Sequence, residues 1–136
     1  MINDLPFEII VLILSKLDNI QFLPPTLLAC RHFNAAYRDQ PGLRQRILQR
    51  QIGRELLPNA IAVYLLRRLE VGEAAQAIHE IMEMLYSHPD RLVEGMRKIS
   101  LLDMTRIGHR HEIVRDLATD FGNAAWSLML PAAHLL

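Results

Sequence analysis

The side chains here from which a reaction centre or an ion site could be built are histidine, cysteine, the carboxylates and arginine. His109 and His111 flank Arg110. Residues two apart on a helix point to different sides, so these imidazoles are poorly placed to share a metal, whereas an i,i+4 pair would suit one. Glu112, Asp116 and Asp120 recur every fourth residue, so they share one helix face, with Asp103 further upstream. Three carboxylates could hold a divalent ion, but the neighbouring Arg110 and Arg115 fit a surface ion-pair row better. Cys30 lies in the apolar run Thr26-Leu27-Leu28-Ala29-Cys30, where a packed thiol is expected rather than a nucleophile. No glycine-rich phosphate loop, Gly-x-Ser-x-Gly elbow or His-Glu-x-x-His pair occurs. The expectation is a chain that is not an enzyme and carries no metal and no cofactor.

Arginine is the remaining candidate, because helical arginines can line phosphates. Residues 31 to 68 hold Arg31, Arg38, Arg44, Arg46, Arg50, Arg54, Arg67 and Arg68 against only Asp39 and Glu55, while residues 69 to 94 hold six carboxylates against Arg91. Aromatics are scarce among these arginines and no nucleic-acid motif is present. A solvated face partly paired with Glu73, Glu80 and Glu83 is the expected arrangement, ahead of an acidic protein partner and of nucleic acid. Over the whole chain the charges cancel, so there is no global pull toward nucleic acid or membrane. A single cysteine fits a reducing compartment, cytoplasm or nucleus, and thus an intracellular protein. No apolar run is long enough to span a bilayer, and no basic region precedes the first one, which argues against a secretory signal.

The elements that must position these groups are organised around Asp4-Leu5-Pro6-Phe7-Glu8-Ile9-Ile10-Val11-Leu12-Ile13-Leu14-Ser15-Lys16-Leu17. Pro6 suits the first position of a helix, and Glu8 faces the positive end of its dipole. From Phe7 to Leu17 only Glu8, Ser15 and Lys16 are polar, so the apolar surface is wider than the stripe of a helix packed on one core. Such a helix needs a second surface, which a partner protein would provide. A wholly internal helix or a buried strand is the alternative, because short apolar runs are ambiguous.

Further along, Pro24-Pro25 is expected to hold Leu23 out of the helical region, with a helix restarting near Pro25. Phe33 and Tyr37 share a face, and Asp39-Gln40-Pro41-Gly42 is a turn. Leu43, Ile47, Leu48, Ile52 and Leu56 fall at helical spacing, to be ended or kinked by Pro58. Ala60 to Leu69 reads as a central core helix stopping at Gly72, and Glu73 to Tyr86 as an amphipathic one closed by His88-Pro89. Leu92, Val93 and Met96 face inward on a helix from Pro89 to about Lys98. Ser100 with Asp103 has the form of a capping box, with Gly108 weakening or breaking the helix that follows. Ile113, Val114, Leu117, Ala118 and Phe121 mark one more buried face ended by Gly122-Asn123, and a last helix from Ala124 is stopped by Pro131. The methionines Met82, Met84, Met96, Met104 and Met129 read as adaptable core filling. Trp126 either closes the core or sits in an interface. The apolar tail Ala132 to Leu136 implies docking on the body or a chain that continues.

Leu5-Pro6 with Glu8-Ile9, the run Ile13-Leu14 to Leu17, Cys30-Arg31 with Phe33, and Asp39-Gln40-Pro41 with Leu43 together resemble an F-box, a module of three short helices. The pattern covers residues 4 to about 44. Arg44 stands where many F-boxes carry tryptophan, Pro24-Pro25 is expected to interrupt the second helix, and the interval to Cys30-Arg31 is one residue longer than usual. The arginine- and glutamine-rich helix that follows is similar to those of fungal F-box-like proteins. The resemblance implies a subunit that docks on the Skp-family adaptor of a Skp/cullin/F-box ubiquitin ligase and brings a protein substrate to it. Position by position, Leu5, Pro6, Ile9, Ile10, Ile13 and Leu14 match the first element of the motif, and Cys30 and Phe33 match its later one; these are the adaptor-binding residues that it implies.

The expected fold is all-α: an N-terminal three-helix F-box-like module at residues 1–44, continuous with a helical body at 45–136 that reads a substrate or is incomplete at its C-terminus. The alternative is a helical protein-interaction or structural domain that recruits no ligase.

Overall fold

A computed structural model describes residues 4–69 and 74–134 of the chain. Among them are eight α-helices, two short 3₁₀ turns and no strand, so the fold is all-α. The helices are α1 (Phe7–Ser15), α2 (Leu23–Ala29), α3 (Arg31–Arg38), α4 (Leu43–Ile52), α5 (Leu57–Arg67), α6 (Ala74–Ser87), α7 (Pro89–Glu94) and α8 (Leu101–His134). The 3₁₀ turns occupy Ile20–Phe22 and Gly95–Lys98.

One hydrophobic cluster runs through the molecule. It joins Ile10 and Leu14 of α1 to Ile47 and Leu48 of α4, Ile61 of α5, Met96, and Met104 and Ile107 of α8. Packing is therefore continuous across residue 44. Phe33 and Tyr37 of α3 lie together against this cluster, as their spacing requires. Each fully buried aliphatic side chain contributes about 1.5–3 kcal/mol relative to exposure. The buried run Leu43, Ile47, Leu48 and Ile52 makes α4 the helix that joins the N-terminal elements to α8.

Prolines begin helices here rather than breaking them. Leu23 is helical (φ −67°, ψ −51°), and Pro24 and Pro25 sit in the first turn of α2, where backbone N–H groups have no intrahelical acceptor to lose. The expected interruption does not occur. Pro58 likewise opens α5, and α4 ends earlier, at Ile52, because Gly53 turns the chain at φ +92°. Pro6 lies one residue before α1, its carbonyl accepting from the N–H groups of Ile9 and Ile10.

The helix expected to break at Gly108, at Gly122 and at Pro131 is a single helix, α8. At its start the Ser100 hydroxyl accepts from the Asp103 N–H at 3.2 Å, the cap expected from the sequence. Gly108 is a close approach rather than a breaker: a β-carbon there would collide with the side chain of Ile20 and press on the amide of Gln51. The final residues Leu135 and Leu136, the Gly72 stop and Glu73 lie outside the described residues. No described helix is long and apolar enough to cross a membrane.

Candidate docking surfaces

Helix α1 is divided lengthwise. Ile10 and Leu14 are 0% and 1% exposed and face α3 and α4, whereas Ile9, Leu12 and Ile13 are 43%, 54% and 47% exposed. The outward three fall at i, i+3 and i+4 and form one ridge, while Phe7, three and seven residues before Ile10 and Leu14, lies on the inner side of the helix. Of the residues that match the first element of the motif, Pro6, Ile9 and Ile13 are open to a partner, Leu5 is half-buried, and Ile10 and Leu14 belong to the core. Cys30 and Phe33 are half-buried, with Phe33 packed on the core. Ile10 and Leu14 are therefore not available to an adaptor: α3 and α4 already cover them.

Both ends of this ridge are held. Near its start the His32 Nε2–H donates to the Leu5 carbonyl at 2.8 Å, and the imidazole lies against Phe7 with ring centroids 5.1 Å apart. At its end the Arg50 guanidinium donates to the carbonyls of Ser15 and Lys16, both at 3.0 Å, and pairs with Asp18 at 3.2 Å. These are carbonyls that the last turn of a helix leaves without intrahelical donors, so Arg50 acts as a C-terminal cap supplied by α4. Arg44 donates to the Arg97 carbonyl at 3.1 Å, fastening α4 to the turn after α7. These arginines do not face the acidic helix as expected, because α6 packs on α5 and α7; Glu83 instead lies 3.8 Å from His79, and Glu80 accepts from Gln76.

Gln51 is a joint that no motif announces. Its Oε1 accepts from the Ile20 N–H at 2.9 Å, and its Nε2 donates toward the Gly108 carbonyl and a Glu112 carboxylate oxygen, each at 3.2 Å. One side chain thus ties α4 to the Ile20–Phe22 turn and to the first half of α8. The available signal was its place beside Leu48 and Ile52, at the margin of the buried stripe, where a polar group must find buried partners. His109, one of the two histidines singled out for chemistry, accepts from Gln21 at its Nδ1 over 3.4 Å. No group of three potential metal ligands is found among the described residues.

A second polar joint binds α5 to α8. The buried Tyr64 hydroxyl donates to Asp103 Oδ2 at 2.8 Å and accepts from Arg68 at 2.6 Å, and Arg106 lies 3.5 Å from the other Asp103 oxygen. The hydrogen bond from Tyr64 outweighs desolvation and, with Arg68 and Arg106, holds the Asp103 carboxyl below its ordinary value. Burial, followed by the Asp103 hydrogen bond, pushes the Tyr64 hydroxyl up.

Beyond Glu112 the character of α8 changes. The face expected to be buried is not: Ile113, Val114 and Ala118 are exposed, and Leu117 and Phe121 are 63% and 77% exposed, as is Leu128 further along, at 80%. Trp126 and Met129 are exposed too, so neither closes or fills the core. The helix leaves the body here, and where it diverges from α4 and α5 it forms a groove of about 510 Å³ walled by Ile52, Leu56, Ala60, Val63, Val114 and Ala118, with Arg110, His111 and Arg115 on its rim. A second cleft, of about 830 Å³ between α5 and α6–α7, has mixed walls that include Arg54, Glu55, Tyr86, Asp90 and Glu94.

No protein-family model, curated protein or solved structure matches this chain.

Proposed function

We propose that this chain is a non-catalytic adaptor subunit of the F-box type, which binds a Skp-family protein through α1 and presents a protein substrate, on its helical body, to a cullin ubiquitin ligase. The observation that carries this reading is the unpartnered apolar ridge of Ile9, Leu12 and Ile13 on a helix whose opposite side buries Ile10 and Leu14. Large exposed aliphatic residues contiguous on one helix mark a surface that another protein covers. The resemblance in the first 44 residues names which protein. Pro24 and Pro25 start α2 instead of interrupting it, so this departure from the motif leaves the helix intact.

The test is a calorimetric titration of the chain with a purified Skp-type adaptor. The parent is expected to bind at micromolar affinity or tighter, and Ile9→Glu and Ile13→Glu to abolish binding while keeping the parent's circular dichroism. Charges at Ile10 or Leu14 would be uninformative, because they would disrupt the core. A folded parent that shows no heat and no complex would replace this reading with a helical interaction domain that recruits no ligase.

A further inference from the structure

The second apolar surface, on α8, is independent of the adaptor reading. It consists of two complementary parts on a single helix. The groove between α8 and α5 is concave and apolar, with Arg110 at its rim and Arg115 beside it, paired with Glu112 at 2.8 Å. The projecting half of the helix is a convex ridge, Leu117, Phe121 and Leu128, whose spacing of four and seven keeps all three on one face. Asp120 and Asp116 flank that ridge, so the ridge carries the charge opposite to the rim of the groove.

We propose that the occupant of the groove is the projecting half of α8 from a second copy of this chain. A two-fold axis then lets each copy insert its ridge into the groove of the other, the self-complementary arrangement that closed homodimers use. Three observations favour a second copy over a different protein. Ridge and groove share one helix, so one rotation satisfies both at once. The Asp116 and Asp120 carboxylates of one copy meet Arg110 of the other, which a partner of one charge sign could not match at both places. Chain charges cancel, so two copies approach without net repulsion. The exposed side chains of Val114, Leu117, Phe121 and Leu128, with Leu56 and Val63 across the groove, present on the order of 800 Å² per copy, the scale of a stable interface.

Sedimentation equilibrium of the full chain across the micromolar range tests this. The parent is expected at twice 15.6 kDa, and Phe121→Glu at 15.6 kDa. Because Phe121 is exposed in the single copy, the variant keeps the parent's folded body, which a thermal melt followed by circular dichroism checks. Ile13→Glu is expected to remain at the doubled mass, which separates this interface from the α1 ridge. A parent that sediments at the single mass throughout, a Phe121→Glu variant that stays doubled, or an Ile13→Glu variant that dissociates would each overturn the proposal.

Discussion

The outward ridge of α1 and the projecting half of α8 expose similar aliphatic and aromatic side chains, yet they stand on supports of different kinds. Helix α1 is fixed along its inner side by Ile10 and Leu14 and at its two ends by His32 and Arg50. The part of α8 beyond Glu112 has no such inner side: its helical state rests on continuation from the packed first third, which removes the nucleation cost but adds no buried side. A partner meeting α1 finds a shape already set and loses little to ordering, whereas one meeting α8 must also suppress its fraying. Equal exposure of apolar surface does not make equal binding sites.

Substitutions can break this contrast at several strengths. The largest effect belongs to the inner side of α1: Ile10→Glu or Leu14→Glu buries a charge without a partner and should cost more than about 4 kcal/mol, while Ile9→Glu and Ile13→Glu should stay within about 0.5 kcal/mol. Urea melts of the four variants measure this directly, and equal losses would erase the division of the helix into two faces. Next come the two glycines of α8. Gly108→Ala should destabilise by about 1–3 kcal/mol through overpacking against Ile20, although alanine is the better helix former. At Gly122 a β-carbon meets nothing within 4 Å, so Gly122→Ala should stabilise the helix by up to about 1 kcal/mol. The same substitution with opposite signs in one helix would locate where α8 leaves the body.

A smaller loss, about 1–2 kcal/mol, is expected for Asp103→Asn, which weakens the charge-assisted bonds from Tyr64, Arg68 and Arg106. Its pH signature has a defined sign. Since the folded state lowers the pKa of Asp103, the stability it adds is present above the unfolded-state value near 3.8 and is lost as pH falls through the lower folded value. Acid titrations of parent and Asp103→Asn should therefore converge at the acid end. Smallest of all, Arg50→Ala should cost about 0.5–1 kcal/mol overall and speed amide exchange in the last turn of α1, leaving that of α8 unchanged.

How these elements would arise could be read from the chain wherever a periodic apolar face meets a single core. The cap at Ser100, the shared face of Phe33 and Tyr37, and the inward Leu92 and Met96 are all of this kind. At Pro24-Pro25, Pro58 and Gly108 local rules predict an interruption, an end or a break, and the structure differs: the prolines occupy first turns, and Gly108 stays helical beneath Ile20, where the absent side chain leaves room for the side chains of Ile20 and Gln51. Local patterns carry no information on which neighbour will arrive. The same limit explains Ile113, Val114, Leu117 and Phe121, whose helical periodicity is real but whose burial requires a surface that one copy of the chain does not present. On α1 the excess of apolar residues did signal two sides, but only the positions of α3 and α4 decide that Ile10 and Leu14 face inward and Ile9 and Ile13 outward.

At 1.5 Å per residue, the 34 residues of α8 measure about 50 Å from end to end. About two thirds of that length lies beyond Glu112, so about 33 Å of helix extends past the packed part. In the proposed pair, two such helices laid side by side would act as a spacer, and their length would enter the distance between the two α1 ridges. Inserting or deleting one helical turn beyond Phe121 would change that reach by about 5.4 Å while keeping the direction in which the ridge points.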